Sequence, residues 1–257
     1  MSISNDIQSF LTSYRSLTLE KADAVKLMYR MDTKYIICSE DVIELLKDIR
    51  QGYHVLEVAS QRIGTYTSVY YDTNDRRMFY SHVTGSFPRY KVRERFYSQN
   101  GLKFFEIKQK SNSGRTYKQR ISLTENLTEN NSKTSIWLSQ QTPFHSEELS
   151  PVLVIFFERI TLINNEQTER VTLDFNLHFR TPSGLVTPVF DRVAIIELKQ
   201  EKKAGSLIRE YLRNKGIRPC CLSKFCTGML LTNSEIGYKQ YKLNHSRFIK
   251  MQYEQFS

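Results

Sequence analysis

The chain lacks a long apolar run. Its longest, "VLVIFF" from Val152 to Phe157, falls far short of the roughly 20 residues a helix needs to cross a bilayer. The opening "MSISNDIQSF" has no basic flank leading into an apolar stretch, so no secretory signal is expected. Cysteine is scarce: Cys38, Cys220, Cys221 and Cys226 show no C-x-x-C spacing, and the adjacent pair is poorly placed for a disulfide. Free thiols in a reducing cytosol are the expectation, and a cytoplasmic location with it. No metal-finger pattern joins these cysteines to the five histidines. Glycine is also sparse, at 10 residues in 257. There is no G-x-x-x-x-G-K-[ST] loop, no G-x-G-x-x-G, no H-E-x-x-H and no G-x-S-x-G elbow. Any phosphate must therefore be held by side chains rather than by a glycine-rich cradle.

Acidic residues are outnumbered, 27 against 37 Lys and Arg, which leaves a formal +10. A polyanion is the first partner this suggests: nucleic acid, an acidic membrane surface or a phosphorylated small molecule. The remaining composition is that of a globular protein, 40% hydrophobic and 12% aromatic, long enough to bury a sizeable core.

The basic residues are not scattered. In "RYKVRERFY", Arg89, Lys91, Arg93 and Arg95 take every second position, so a strand would stand them in file on one face about 7 Å apart. Two unit charges at that spacing repel by roughly 0.6 kcal/mol in water and about 2.4 kcal/mol at an effective dielectric of 20. An enclosed groove tolerates such a file only with anions or carboxylates to answer it. Other predicted strands repeat the pattern. Glu106, Lys108 and Lys110 share a face in "LKFFEIKQK", and Lys118 and Arg120 share one in "TYKQRISL". Arg170, Thr172, Asp174 and Asn176 share one in "ERVTLDFNLHFR"; Glu197 and Lys199 do so in "RVAIIELKQ", and "FFERITL" offers Arg159. One such face is the wet side of an ordinary sheet. Six of them, with so large a cationic excess, predict a sheet closed on itself, charges inside and helices covering the apolar outside. Such a lumen suits a compact phosphate chain better than a duplex, so no DNA is expected. Glu106, Asp174 and Glu197 are hard oxygen donors suited to Mg²⁺ or Mn²⁺ bridging phosphate oxygens. His82 and His178 are expected to be structural.

Helices are predicted over residues 17 to 30 and through "SEDVIELLKDIRQ", capped by Ser39 and followed by Gly52. Residues 122 to 151 read as an exposed polar loop with a short helix around Trp137, and "GSLIREYLRNKG" as a helix ended by Gly216. The tail from 223 is expected to be helical. The whole is predicted as one α+β domain: N-terminal helices over 1–55, strands over about 63–200, and C-terminal helices over about 204–257.

In this order, "YRMDTKYII", "YYDT", "YKVRERFY", "FFEIKQK", "YKQR", "FFERI", "RVTLDFNLHF", "AIIELK" and "LSKFCTGM" resemble the VTC domain. That domain is the polyphosphate polymerase module of the vacuolar transporter chaperone complex, within the triphosphate tunnel metalloenzyme (CYTH-like) superfamily. The pieces span about residues 29 to 230. The resemblance implies an eight-stranded antiparallel tunnel whose basic interior grips a triphosphate or polyphosphate. It assigns phosphate contacts to Lys34, Arg93, Arg95, Lys108, Lys118, Arg159, Arg170 and Lys224, and metal binding to Glu197. Lys91, Arg120 and Lys199 join them on the charged faces. Asp32 and Lys34 stand where many CYTH hydrolases carry E-x-E-x-K, which disfavours a simple triphosphatase. The SPX module and membrane segments of the eukaryotic complex are not in this sequence, so coupling to translocation would need a separate membrane partner. The implied activity is metal-dependent transfer of the γ-phosphoryl of ATP to polyphosphate, with Arg93, Arg95, Lys108, Arg159, Arg170 and Lys224 carrying it. The rivals are a tunnel triphosphatase and a non-catalytic module binding polyphosphate or RNA, with Tyr90, Phe96 and Tyr97 as stacking groups.

Overall fold

A computed structural model describes residues 3–24, 30–124, 126–201, 205–233, 235–236 and 241–253. In chain order the elements are α1 (Ile3–Leu11), β1 (Arg15–Thr18), α2 (Leu19–Ala24), β2 (Arg30–Cys38), α3 (Glu40–Ile49), β3 (Tyr53–Glu57), β4 (Gly64–Thr73) and α4 (Arg77–Thr84). There follow β5 (Arg89–Tyr97), β6 (Leu102–Lys110), β7 (Thr116–Leu123), α5 (Leu127–Gln141), β8 (Leu149–Asn164), β9 (Glu169–Arg180) and β10 (Val193–Glu201). Three helices end the chain: α6 (Leu207–Asn214), α7 (Lys224–Thr232) and α8 (Lys242–Tyr253).

Eight antiparallel strands form one sheet in the order β2-β10-β9-β8-β4-β5-β6-β7, with β3 and β1 branching from β8. The expected closed barrel is not what forms. Among the described residues β2 and β7 do not pair, so the sheet is curled but open. A physical reason lies at the β2 edge, where the Cys220 N–H donates to the Lys34 carbonyl at 2.8 Å. Chain leading into α7 thus occupies part of the edge that closure would need.

Period-two alternation sets the two faces of this sheet. Outside, α1, α3 and α6 cover β2, β8, β9 and β10, burying Leu45 and Leu46 against Tyr35, Leu173 and Ile196. Helix α5 covers the outer side of β5 and β6, with Leu138 against Phe105 and Ile107. Inside, one half of the trough is apolar. Ile36, Ile195, Leu153 and Phe179 face α7 through Phe225 and Met229. Gly228 makes that seat possible, because a Cβ there would lie 2.4 Å from Phe179 Cδ1 and 2.6 Å from Leu153 Cδ2. A helix inside the curl departs from the expected arrangement, in which all helices lie outside.

The N-terminal third holds more strand than expected. Residues 17–30 give the end of β1, the short α2 and the first residue of β2, while 25–29 lie outside the described residues. Segment 1–55 therefore contributes β1, β2 and the start of β3 as well as helices. Ser39 does precede α3, but its hydroxyl donates to the Asp191 carbonyl rather than capping the helix. The short helix expected around Trp137 within 122–151 forms as α5 and runs longer, Leu127–Gln141, with the Asn126 side chain accepting the Glu129 N–H at 3.1 Å. Gly216 ends α6 as expected, at φ 67°, with the Ile217 N–H donating to the Leu212 carbonyl. Residues 204, 234, 237–240 and 254–257 of the expected C-terminal helices lie outside the described residues, as do 202–203 before them.

Candidate functional site

The other half of the trough is a cavity of about 350 Å³. Alternation on β5 turns Lys91, Arg93 and Arg95 into it, while Tyr90 and Val92 pack outward into the core under α5. Lys108 enters from β6, Lys118 and Arg120 from β7, Arg159 from β8, Arg170 from β9, Lys199 from β10 and Lys34 from β2. Lys224, the first residue of α7, completes the set. All eleven basic residues expected to contact phosphate thus line one hollow, including the distant trio Arg93, Arg120 and Arg170, whereas Arg89 and Lys110, from the same charged faces, lie outside it over the Phe87 ring.

The three acidic candidates separate by depth. Glu106 lies beneath the wall, 1% exposed, accepting from Arg93 Nε at 2.7 Å and ion-paired to Lys118 Nζ at 2.7 Å. Asp174 is fully buried, chelated by Arg159 Nε and Nη2 at 2.5 and 2.8 Å and ion-paired with Lys224. Burial alone would raise both carboxyls, but Arg93 and Arg95 at Glu106, and Arg159 and Lys224 at Asp174, hold them well below the usual range. Both spend their oxygens fixing cations. Glu197 differs. Among the described residues it is the one carboxylate on the cavity wall, 3.6 Å from Lys199 Nζ. Lys34, Lys199 and Arg159 overcome its burial and keep it ionised.

A divalent ion of the Mg²⁺ or Mn²⁺ type is bound by one or two carboxylates together with phosphate oxygens and water. One ionised carboxylate on a wall lined by cations fits that donor set if phosphates supply the other oxygens. Among the described residues no three Asp, Glu, His or Cys side chains converge to hold a metal unaided.

The cations are held in different ways, which matters for what they can do. Arg95 is 8% exposed, bonds Ser68 Oγ at 3.1 Å, and lies over the rings of Tyr66 and Phe157. Arg93 also donates to the Tyr70 hydroxyl at 2.8 Å. Lys91 reaches Ser223 Oγ at 2.9 Å, and Lys34 the Leu222 carbonyl at 3.0 Å. Burial brings the Lys91 ammonium down to about 8. Lys118 is also brought to about 8, because burial and Arg93 outweigh its Glu106 partner. Lys108 is lowered by burial and by Lys34 across the cavity. The crowding works in reverse on Tyr70. Burial opposes its ionisation, yet Arg93, Arg95 and Lys91 bring the phenol down to about 7.

Thr172, placed on the polar face of its strand by the sequence, lines the cavity; Tyr66, Tyr70, Thr161 and Ser223 also line it and were not singled out from the sequence. The alternation of Tyr66, Ser68 and Tyr70 in "TYTSVYYDT" was the available signal for β4. Of the aromatic residues proposed to stack bases, Tyr90 lies in the outer core, whereas Tyr97 lines the cavity. His82 bonds the Tyr90 carbonyl at 3.0 Å, and burial keeps its imidazole neutral. His178 stacks on Phe156.

Comparison with known proteins gives a family model, the VTC domain, matching residues 29–233. No curated protein matches the sequence. Among solved structures the chain resembles a putative adenylyl cyclase, HpAC1, from Hippeastrum, described as revealing a dominant triphosphatase activity. The two are 14% identical over 82% of this chain and 100% of that one, at a TM-score of 0.49. It also resembles a putative adenylate cyclase from Vibrio parahaemolyticus, 13% identical over 78% of this chain and 97% of that one, TM-score 0.47. A third is the PH1819 protein from Pyrococcus horikoshii OT3, 15% identical over 78% of this chain and 98% of that one, TM-score 0.45. With the match running through every cavity-lining strand and the whole of α7, the chain belongs to the VTC domain family.

Proposed function

We propose that the chain is a metal-dependent phosphotransferase that moves the γ-phosphoryl of ATP onto the end of a polyphosphate chain. The observation that supports this reading is the convergence of eleven basic side chains, from seven strands and α7, on one hollow with a single wall carboxylate. Phosphoryl transfer asks a protein chiefly for in-line placement and charge stabilisation. Arg93 and Arg159 are pre-aimed by Glu106 and Asp174, so they need no reorganisation as charge develops on the transferring group. The bond from the γ-phosphorus to its bridging oxygen breaks toward ADP, and a bond forms to a terminal oxygen of the acceptor chain. That oxygen is already anionic, so no strong base is required. Lys34 or Lys224 holds the acceptor phosphate in line. Mn²⁺ or Mg²⁺ held by Glu197 would neutralise charge on the triphosphate.

Incubation of purified protein with ATP and Mn²⁺, followed by separation of long polymer from orthophosphate, tests the reading. Polymer is the expected product in the wild type, and its loss in Glu197→Gln. Orthophosphate as the sole product would assign hydrolysis instead. Tight, salt-sensitive binding with no turnover would leave only a polyanion-binding module.

A further inference from the structure

The outer face of β2 is only partly covered. Helices α1, α3 and α6 bury its Tyr35 and Ile37, but that cover stops short of Met31, which is 36% exposed. There β2, α6 and the segment from Gly216 to Pro219 form a groove of about 590 Å³. Met31, Ile217 and Pro219 give it an apolar lining. Arg209 and Arg213 from α6, with Arg218, add three cations, and among the described residues no carboxylate lines the groove. Arg209 acts on the Tyr35 hydroxyl and on the buried Glu169. Arg213 is 76% exposed, with the exposed Glu210 at the outer limit of ion pairing, 4.0 Å away.

Charge and apolar surface together narrow what fits here. A phosphate chain would answer the arginines and leave Met31, Ile217 and Pro219 bare. A bilayer takes up a projecting apolar face, not a recessed one. An extended peptide satisfies both demands. Arg209 and Arg213 stand one helical turn apart, about 6 Å, and alternate side chains of an extended chain are about 7 Å apart. Carboxylates at every second position therefore match the α6 wall, while the side chains between them turn the other way and bury against the apolar lining. Arginine and methionine are also among the residues that protein interfaces favour. We propose that this groove docks an extended segment of a partner protein in which acidic and apolar residues alternate. The groove shares no lining residue with the phosphate cavity, so both can be filled at once and the docking does not depend on the reaction proposed above.

The test is fluorescence anisotropy on the full chain, using a short labelled peptide that alternates glutamate with leucine, in saturating inorganic tripolyphosphate. Filling the phosphate cavity first keeps the peptide from binding there. Saturable binding is expected in the wild type, weakened about tenfold by Arg213→Glu and about fivefold by Met31→Ser. Both side chains are exposed, so the fold should persist in each variant. Arg213→Glu combined with Arg218→Glu should in addition bind the peptide's lysine counterpart. No saturable binding by the wild type, or equal binding by all variants, would overturn the proposal. So would another occupant whose binding Arg213→Glu abolishes: phosphatidylserine vesicles, a second tripolyphosphate or a second copy of the chain.

Discussion

Arg93 and Arg95 stand two positions apart on one strand, yet their replacements should fail in different ways. Arg93 partners the buried Glu106, so Arg93→Ala leaves a carboxylate under the wall with only Lys118. Breaking a buried pair costs about 3 kcal/mol, and a lowered urea midpoint should accompany lost activity. Arg95 has Ser68 as its hydrogen-bond partner and Arg93 as a repelling neighbour. Arg95→Ala should leave the midpoint unchanged or raised while weakening tripolyphosphate about tenfold. A strong fall in stability for Arg95→Ala would refute this division of roles. Protons give a second residue-scale check. A phosphate chain favours charged Lys91 and Lys118 and neutral Tyr70, so its binding raises all three pKa values from about 8, 8 and 7. The sign is fixed: at about pH 8.5 binding should take up protons, and affinity should fall as pH rises through 8. Calorimetry in buffers of different ionisation enthalpy measures the uptake, which Tyr70→Phe should reduce. At this scale the basic half of the site was legible, because alternation assigns a face. It does not assign depth, so Glu106 and Asp174 looked like metal donors when they are buried anchors for arginine and lysine.

Helix α7 is the element on which the site most depends and the one least visible in the sequence. Its hydrophobic spacing marks a buried helix but not that the sheet curls around it. What places it inside is Gly228, where α7 meets Leu153 and Phe179 too closely for a Cβ. Gly228→Ala gains up to about 1 kcal/mol of helix propensity, yet overpacking a seated helix costs about 1–3 kcal/mol. The helix should therefore ride outward, drawing Lys224 from Asp174 and Ser223 from Lys91. We expect lower thermal stability together with weaker tripolyphosphate binding; a stabilised variant with unchanged affinity would show that α7 does not seat the site. Strand β2 was missed for a related reason. "RMDTKYIIC" runs from a charged half, whose Lys34 lines the cavity, into an apolar half in which Ile36 faces α7 while Tyr35 and Ile37 pack under the outer helices, so no single period dominates it. The strands β4 to β10 were legible because each keeps one alternation along most of its length.

Across the whole molecule, charge is concentrated rather than spread. Eleven cations line the cavity and Glu106, Asp174 and Glu197 answer three of them, a formal excess of eight. The full chain carries +10, so everything outside the site amounts to about +2. A basic coat for nucleic acid or lipid would place that excess on the exterior; here it is gathered where the low-dielectric wall makes repulsion strongest. The fold without an anion therefore carries electrostatic strain that the proposed phosphate ligand would relieve. At one hundred times its dissociation constant such a ligand stabilises by about 2.7 kcal/mol, which for a chain of this size raises Tm by roughly 5 °C. Tripolyphosphate should produce that rise at low ionic strength and progressively less as sodium chloride is added, since mobile ions screen the same field. In Arg95→Ala the unliganded Tm should be unchanged or higher and the ligand-induced rise smaller, because one source of the repulsion is gone before the anion arrives. A rise that ignores salt, or that survives undiminished in the variant, would mean the cations do not act together as one field.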